Sequence, residues 1–288
     1  MRSIFILALV LIVAEVRAQI FPYSLNHPDH KIILPEILNE ISGLTDIDSS
    51  HVACVQDEIG TVFIYNFRTQ KIVKKHIFDS FGDFEGLTYT GKSLYILRSD
   101  GRLTEWEGFN PHTGGGKINH YKLPLLTANN EGLCFDPKTN SLLIAAKSKP
   151  IDHDHKWDRF VYMFDLKEKK LVREPVYKLN TMHLEAAKHQ FNISNPSSGN
   201  HKRKLFNFRP SSLAVHPVSN DIYFISASDQ LLVIMNKKGI IKHMEQMEGT
   251  NFAKAEGITF LHDGTMIITN EAAGHTPTLL IYRLKSND

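Results

Sequence analysis

Three glutamates occupy the same place in a recurring phrase: Glu85 in Phe84-Glu85-Gly86-Leu87, Glu131 in Asn130-Glu131-Gly132-Leu133, and Glu256 in Ala255-Glu256-Gly257-Ile258. A fourth copy, Ile41-Ser42-Gly43-Leu44, has Glu40 just ahead of it. A fifth, Pro210-Ser211-Ser212-Leu213, carries hydroxyls in place of the acid and the glycine. Carboxylates that converge with amide oxygens form a hard ligand set, suited to Ca²⁺ rather than to zinc or copper. Glycine after the acid permits close approach of two backbones, since it has no Cβ. One strand further along, the repeats place Asp57, Arg98, Lys147, Asn270 and Glu271 in polar loops, and Lys254 and Arg209 stand near the last two entries. The metal reading takes Glu40, Asp57, Glu85, Glu131, Glu256 and Glu271 as Ca²⁺ candidates. A ligand-binding reading adds Arg98, Lys147, Arg209, Ser211, Lys254 and Asn270, with the bases offsetting the acids or holding an anionic group. The alternative is structural: the glutamates cap backbone amides of the neighbouring repeat and pair with the bases, which fixes the register between repeats.

These residues need a frame that brings them together, and the phrase itself predicts one. Each copy is followed by alternating strands separated by polar turns, such as His51–Val55 and Thr61–Tyr65 after the first. Anchor positions 43, 86, 132, 212 and 257 are separated by steps of 43, 46, 80 and 45 residues. Four strands in about 45 residues is the blade of a β-propeller, in which first strands line the axis. The fold class is therefore all-β, a five-bladed propeller. The last repeat lacks a fourth strand, and the isolated apolar segment Ile32–Leu34 supplies one, closing the ring and removing its open edges. The long step holds a surplus within residues 177–207, where Leu184, Ala187 and Phe191 fall at helical spacing. That predicts a short helical insertion between blades 3 and 4, with six blades as the alternative.

Two further clusters stand outside the repeat. Asp152-His153-Asp154-His155-Lys156-Trp157-Asp158 reads as an extended loop with His153 and His155 on one side, a weak metal candidate without partner ligands at diagnostic spacing. His201-Lys202-Arg203-Lys204 is a short basic run that could meet phosphate or anionic lipid but reads first as a solvated loop. Cys54 and Cys134 have apolar neighbours in different repeats and read as two buried thiols rather than a bridge.

The ends and the composition bound the function. Arg2, an apolar run from Ile4 to Val13 and Val16-Arg17-Ala18 give residues 1–18 the layout of a signal peptide, with an uncleaved anchor as the alternative; residues 19–288 then form one domain. The protein is expected to be exported, periplasmic or secreted, and monomeric, with its N-terminus able to attach it to the plasma membrane. Its 288 residues are 42% hydrophobic with a net charge of +2, which gives no sign of nucleic-acid binding. There is no Gly-x-Ser-x-Gly elbow, Walker loop, dinucleotide fingerprint or His-Glu-x-x-His.

Taken in order, Glu40-Ile41-Ser42-Gly43-Leu44, Asp83-Phe84-Glu85-Gly86-Leu87, Asn130-Glu131-Gly132-Leu133, Arg209-Pro210-Ser211-Ser212-Leu213-Ala214-Val215-His216-Pro217 and Ala255-Glu256-Gly257-Ile258 give the chain a pattern that resembles the SdiA-regulated family. The resemblance implies an exported bacterial β-propeller facing the periplasm and associated with the plasma membrane, in some members connected with calcium responses. It supplies no catalytic residues. The function expected is noncatalytic binding, at the acidic mouth, of Ca²⁺, a small polar or anionic ligand, or an envelope protein. The alternatives are a calcium-dependent, phytase-like or esterase-like phosphoric-ester hydrolase, and an envelope scaffold.

Overall fold

The computed structural model describes residues 21–151, 153–194 and 207–285. Five antiparallel sheets surround one axis. Blade 1 runs from the inner strand Ile41–Asp46 through His51–Gln56 and Ile59–Asn66 to the outer strand Lys71–Phe81. Blade 2 comprises Phe84–Tyr89, Ser93–Arg98, Arg102–Glu107 and Lys117–Lys122, and blade 4 comprises Ser212–Val215, Ile222–Ser226, Leu231–Met235 and Ile241–Gln246. Blade 5 contributes Ala255–Phe260, Met266–Asn270 and Thr278–Tyr282. Its fourth strand is His30–Ile33, with Ile32 opposite Leu279. The ring is thus closed by the N-terminal strand, and there are five blades.

Blade 3 departs in one detail from the sequence reading. Its inner strands are Asn130–Asp136, Ser141–Ala146 and Asp158–Asp165, but its outer edge is shared by Lys170–Leu171 and Tyr177–Asn180, both paired to the third strand. The insertion therefore begins only after Asn180, whose side chain caps the helix Thr181–Ala187 by accepting from the N–H groups of Met182 and His183. The basic run 201–204 and residues 1–18 lie outside the described residues. No helix among the described residues is long and apolar enough to cross a membrane.

Strand alternation explains how blades hold to one another. In His51–Gln56, Val52 and Cys54 join the apolar cluster shared with blade 5, whereas Ala53 and Val55 join the one shared with blade 2. Five such clusters fill the five seams. Cys54 and Cys134 are free and buried, and burial pushes both thiols up to about 12.

The inner strands are stitched by a second device. Thr45 Oγ1 accepts the N–H of Tyr89 at 3.1 Å, Thr88 Oγ1 that of Phe135 at 3.0 Å, and Thr259 Oγ1 that of Asp46 at 3.2 Å. Each bond crosses to the following blade. Cys134 stands where the threonine would be in blade 3, and its sulfur takes the N–H of Val215. Blade 4 has Ala214 there; Ser212 Oγ accepts the N–H of Ile258 instead, at 3.3 Å. The glycines of the phrase make this approach possible. A Cβ on Gly86 would stand 2.5 Å from Leu133 Cβ, and one on Gly43 would stand 2.6 Å from the amide nitrogen of Leu87.

Candidate functional site: an acid-lined mouth of the central channel

The inner strands begin at one face of the ring, and there each acid of the phrase sits on a β-bulge. Phe84 opposes Arg98 and Gly86 opposes Leu97, so Glu85 is the extra residue; Glu131 and Glu256 hold the same position in their blades. A bulge leaves its residue out of the ladder and re-aims its side chain. Ser211 occupies the corresponding place in blade 4, but its hydroxyl bonds the carbonyls of Ala255 at 2.8 Å and Ile225 at 3.3 Å. Ser211 is therefore spent on the seam between blades 4 and 5.

The structure brings Glu85, Glu131, Glu256 and Lys147 into one electrostatic group. Lys147 Nζ lies 2.7 Å from Glu131 Oε2, and Asn129 Nδ2 donates to Glu131 Oε1 at 3.0 Å. Glu131 is 2% exposed. Its burial pushes the carboxyl pKa up, with Lys147 and Asn129 pulling it back. Glu85 has no such partner: among the described residues it makes no hydrogen bond or ion pair. Burial, and then the charges of Glu131 and Asp83, push its pKa up to about 9. Glu256 rises to about 7, chiefly by burial, with Lys147 and Lys254 opposing Glu131 and Glu271. Burial alone would lower Lys147, but Glu256, Glu131 and Glu85 outweigh it and hold the ammonium above the ordinary lysine range. The mouth thus gathers more acids than its lysines can compensate, and at neutral pH Glu85 keeps its proton.

Toward blade 1 the group continues. Lys254 pairs with Glu271 and lies 3.6 Å from Glu256 Oε1. Glu40 is raised by burial and by a carboxyl–carboxyl hydrogen bond with Glu271; Asp57 is raised by burial and by the charges of Glu271, Glu58 and Asp83. Several buried acceptors here have no donor: Asp57 Oδ1, Asn129 Oδ1, Glu256 Oε1 and Asn270 Oδ1. The amide of Asn270 is otherwise held, its Nδ2 donating to Thr278 Oγ1 at 3.0 Å.

The remaining sequence candidates fall elsewhere. Arg98 turns onto Asp100, 2.5 Å away, and steadies its own loop. Arg209 lies beside Arg159, whose Nη2 donates to the carbonyl and side-chain oxygens of Asn207, both at 2.7 Å. The segment His153–His155 is a 3₁₀ turn, not the extended loop read from the alternating aspartates, and His155 Nδ1 is 2.8 Å from Asp158 Oδ2. Among the described residues no three His, Cys, Asp or Glu side chains are gathered in the manner of a preformed metal site. The acids suit a hard cation by type, but lysines are interleaved between them.

Of the structural role foreseen for the glutamates, the pairing with bases is theirs, Glu131 with Lys147 and Glu256 with Lys254, but the capping of neighbouring amides belongs to other residues. The cross-blade amide bonds go to Thr45, Thr88, Cys134, Ser212 and Thr259, while Glu131 and Glu256 face the channel lysines. The signal was present, as Gly-Leu-Thr or Gly-Ile-Thr recurs in three of the five copies. Sequence reasoning also missed Asn129 and Asp83, which lie one position outside the repeated phrase.

The fold is shared with a known structure. Glutaminyl cyclase of Myxococcus xanthus superposes with a TM-score of 0.58 at 14% identity, over 91% of this chain and 97% of that one. A streptogramin B lyase follows with a TM-score of 0.47 at 13% identity, covering 88% of this chain and 97% of the lyase. At these identities the likeness is one of fold. No curated protein matches the sequence. The model of the SdiA-regulated family matches residues 23–285, nearly the whole chain, and the protein belongs to that family.

Proposed function

We propose that this propeller is an exported, noncatalytic binding module of the bacterial envelope, and that its acid-lined mouth takes a small cationic group, either Ca²⁺ or an organic ammonium. The observation that carries the reading is the unpaired Glu85 carboxyl in the same mouth as buried oxygens without donors, Glu256 Oε1 and Asn270 Oδ1 among them; a cation there would displace the proton that Glu85 otherwise keeps. Buried acceptors cost free energy until a donor or cation reaches them. A ligand that supplies positive charge relieves both the repulsion and the missing bonds. Three described bases support a cation over an anion: Lys147, Lys254 and Arg98 are each spent on a carboxylate of their own blade and are not free to form the basic wall that a phosphoric-ester hydrolase would need.

Titration with CaCl₂ and, separately, with the blocked amide of lysine, each followed by thermal melting, tests this reading. Either ligand should raise the melting temperature of the wild type by mass action, and Glu85→Gln and Glu131→Gln should lose most of the gain. Equal melting of wild type and variants at every concentration of both ligands would reject it.

A further inference from the structure

Exposed apolar side chains are unevenly divided between the two faces of the ring. Ile33, Phe81, Leu126, Ile151, Trp157 and Met182 lie on the face with the acids, Val218 and Ile240 on the opposite face, and Val73 and Ile77 along the outer strand of blade 1 between the two. Phe81 is 79% exposed and Ile151 75%. Backbone bonds set the residues of blade 3 and its insertion in pairs. The N–H of Ile151 donates to the carbonyl of Leu126 at 3.0 Å, and that of Thr181, next to Met182, donates to the carbonyl of Trp157 at 2.8 Å. Phe81 precedes the Gly82-Asp83 turn that leads into Glu85, and Ile33 ends the strand that leads through Glu36–Leu38 to Glu40. Exposed apolar surface thus flanks the acid group on several sides. Apolar surface gathered on one face, with polar groups at its centre, marks a site of association rather than ordinary surface.

Two classes of macromolecule seek such a face, and charge separates them. The cytoplasmic and envelope bilayers carry anionic headgroups, which buried carboxylates at the centre of the face would repel. A polypeptide that brings its own positive charge gains on both counts. We infer that this face docks a polypeptide segment in which one lysine or arginine side chain enters between Glu85, Glu131 and Glu256 while apolar neighbours in the segment rest on Phe81, Ile151 and Trp157. The inference rests on the cation-binding reading of the mouth and adds the partner's class. The aliphatic stem of lysine or arginine can lie against apolar surface while its charge is delivered at the tip. The apolar rim then excludes water around that contact, the usual arrangement about a central anchor.

Trp157 supplies the readout, being 43% exposed, while the second tryptophan, Trp106, is buried and lies away from this face. The probe is a blocked pentapeptide, leucine-phenylalanine-lysine-phenylalanine-leucine, with a glutamine-centred version and blocked lysine amide as comparisons. Vesicles of phosphatidylglycerol and of phosphatidylcholine form the lipid arm. The lysine peptide should shift tryptophan emission to the blue saturably and bind at least ten-fold tighter than either comparison. Trp157→Phe should abolish the shift while calorimetry still detects binding. Phe81→Ser combined with Ile151→Ser should weaken the peptide about ten-fold and leave lysine amide unchanged. If lysine amide binds and the peptide binds no tighter, the rim plays no part and this inference fails alone. If the glutamine peptide binds equally, or phosphatidylglycerol vesicles capture the protein in preference to the peptide, the partner class is wrong. If neither lysine amide nor peptide binds, this inference fails, and the reading of the mouth fails with it only if CaCl₂ does not bind either.

Discussion

Thr88 in blade 2 takes the backbone N–H of Phe135 in blade 3 at 3.0 Å, and this bond is repeated by chemically equivalent side chains around the axis. Thr88 is buried and Phe135 half-buried, so the hydroxyl answers a donor with limited access to water. Thr88→Val should cost about 1–3 kcal/mol, the penalty of an unsatisfied buried group. Thr88→Ser should recover most of it. Urea unfolding of the two variants against wild type gives the comparison, and equal stability of Val and Ser variants would show that the bond contributes nothing net.

Gly86 is fixed by contact rather than by turn geometry. Its absent Cβ would lie 2.5 Å from Leu133 Cβ and 2.8 Å from the carbonyl of Glu131. Gly86→Ala should therefore push apart blades 2 and 3 and destabilise by about 1–3 kcal/mol, as overpacking does. Gly91, at a bottom turn with no atom within 4 Å of its Cβ position, has φ +81, so its replacement tests backbone strain separately. Thermal melting of Gly86→Ala near the wild-type value would contradict the close approach.

Lys147 and Glu131 should behave as a coupled pair. Removing the ammonium by Lys147→Met leaves a buried carboxylate uncompensated and should cost about 3–5 kcal/mol, whereas the double variant Lys147→Met with Glu131→Gln should cost clearly less. A double-mutant cycle by denaturant unfolding measures the difference. Additive losses would mean that the 2.7 Å pair is not energetically linked.

Stability should fall as pH rises. Glu85 and Glu256 have native pKa values raised to about 9 and about 7, above the 4.5 of the unfolded chain, so the native state binds more protons across that interval. By linkage, stability declines from near pH 4.5, through pH 7 for Glu256 and toward pH 9 for Glu85. Glu85→Gln should flatten the upper part of this decline. Melting temperatures between pH 5 and 9 decide it, and a parallel profile for wild type and Glu85→Gln would contradict the unpaired carboxylate.

Much of this arrangement is written in the recurring phrase. Its spacing specifies the blades, and the orphan segment at Ile32 specifies how the ring closes, because alternation and period follow directly from strand geometry. The face that holds Glu85, Glu131 and Glu256 is legible for the same reason. What the phrase hides is division of labour. A bulge adds one residue without disturbing the apolar alternation on either side, so nothing in the pattern says that Glu85 leaves the ladder. Arg98 and Lys147 stand at comparable places in their repeats, yet Asp100 captures the first and Glu131 the second, a choice made by loop geometry. Blade 3 divides its outer edge between Lys170–Leu171 and Tyr177–Asn180, where Pro175 interrupts the strand pattern. Glu105, buried between Tyr95 and Tyr121 and paired with Lys169 of the next blade, depends on a contact 64 residues away that no local pattern announces.

The measurement closest to the central claim is a carboxyl ¹³C NMR titration of glutamate-labelled protein, with Glu85→Gln to assign the Glu85 resonance, run without ligand and then with saturating CaCl₂ or lysine amide. Glu85 should titrate near pH 9 in the free protein and well below that once a cation is bound. A Glu85 that titrates in the ordinary glutamate range, or one whose titration neither cation moves, would contradict the claim.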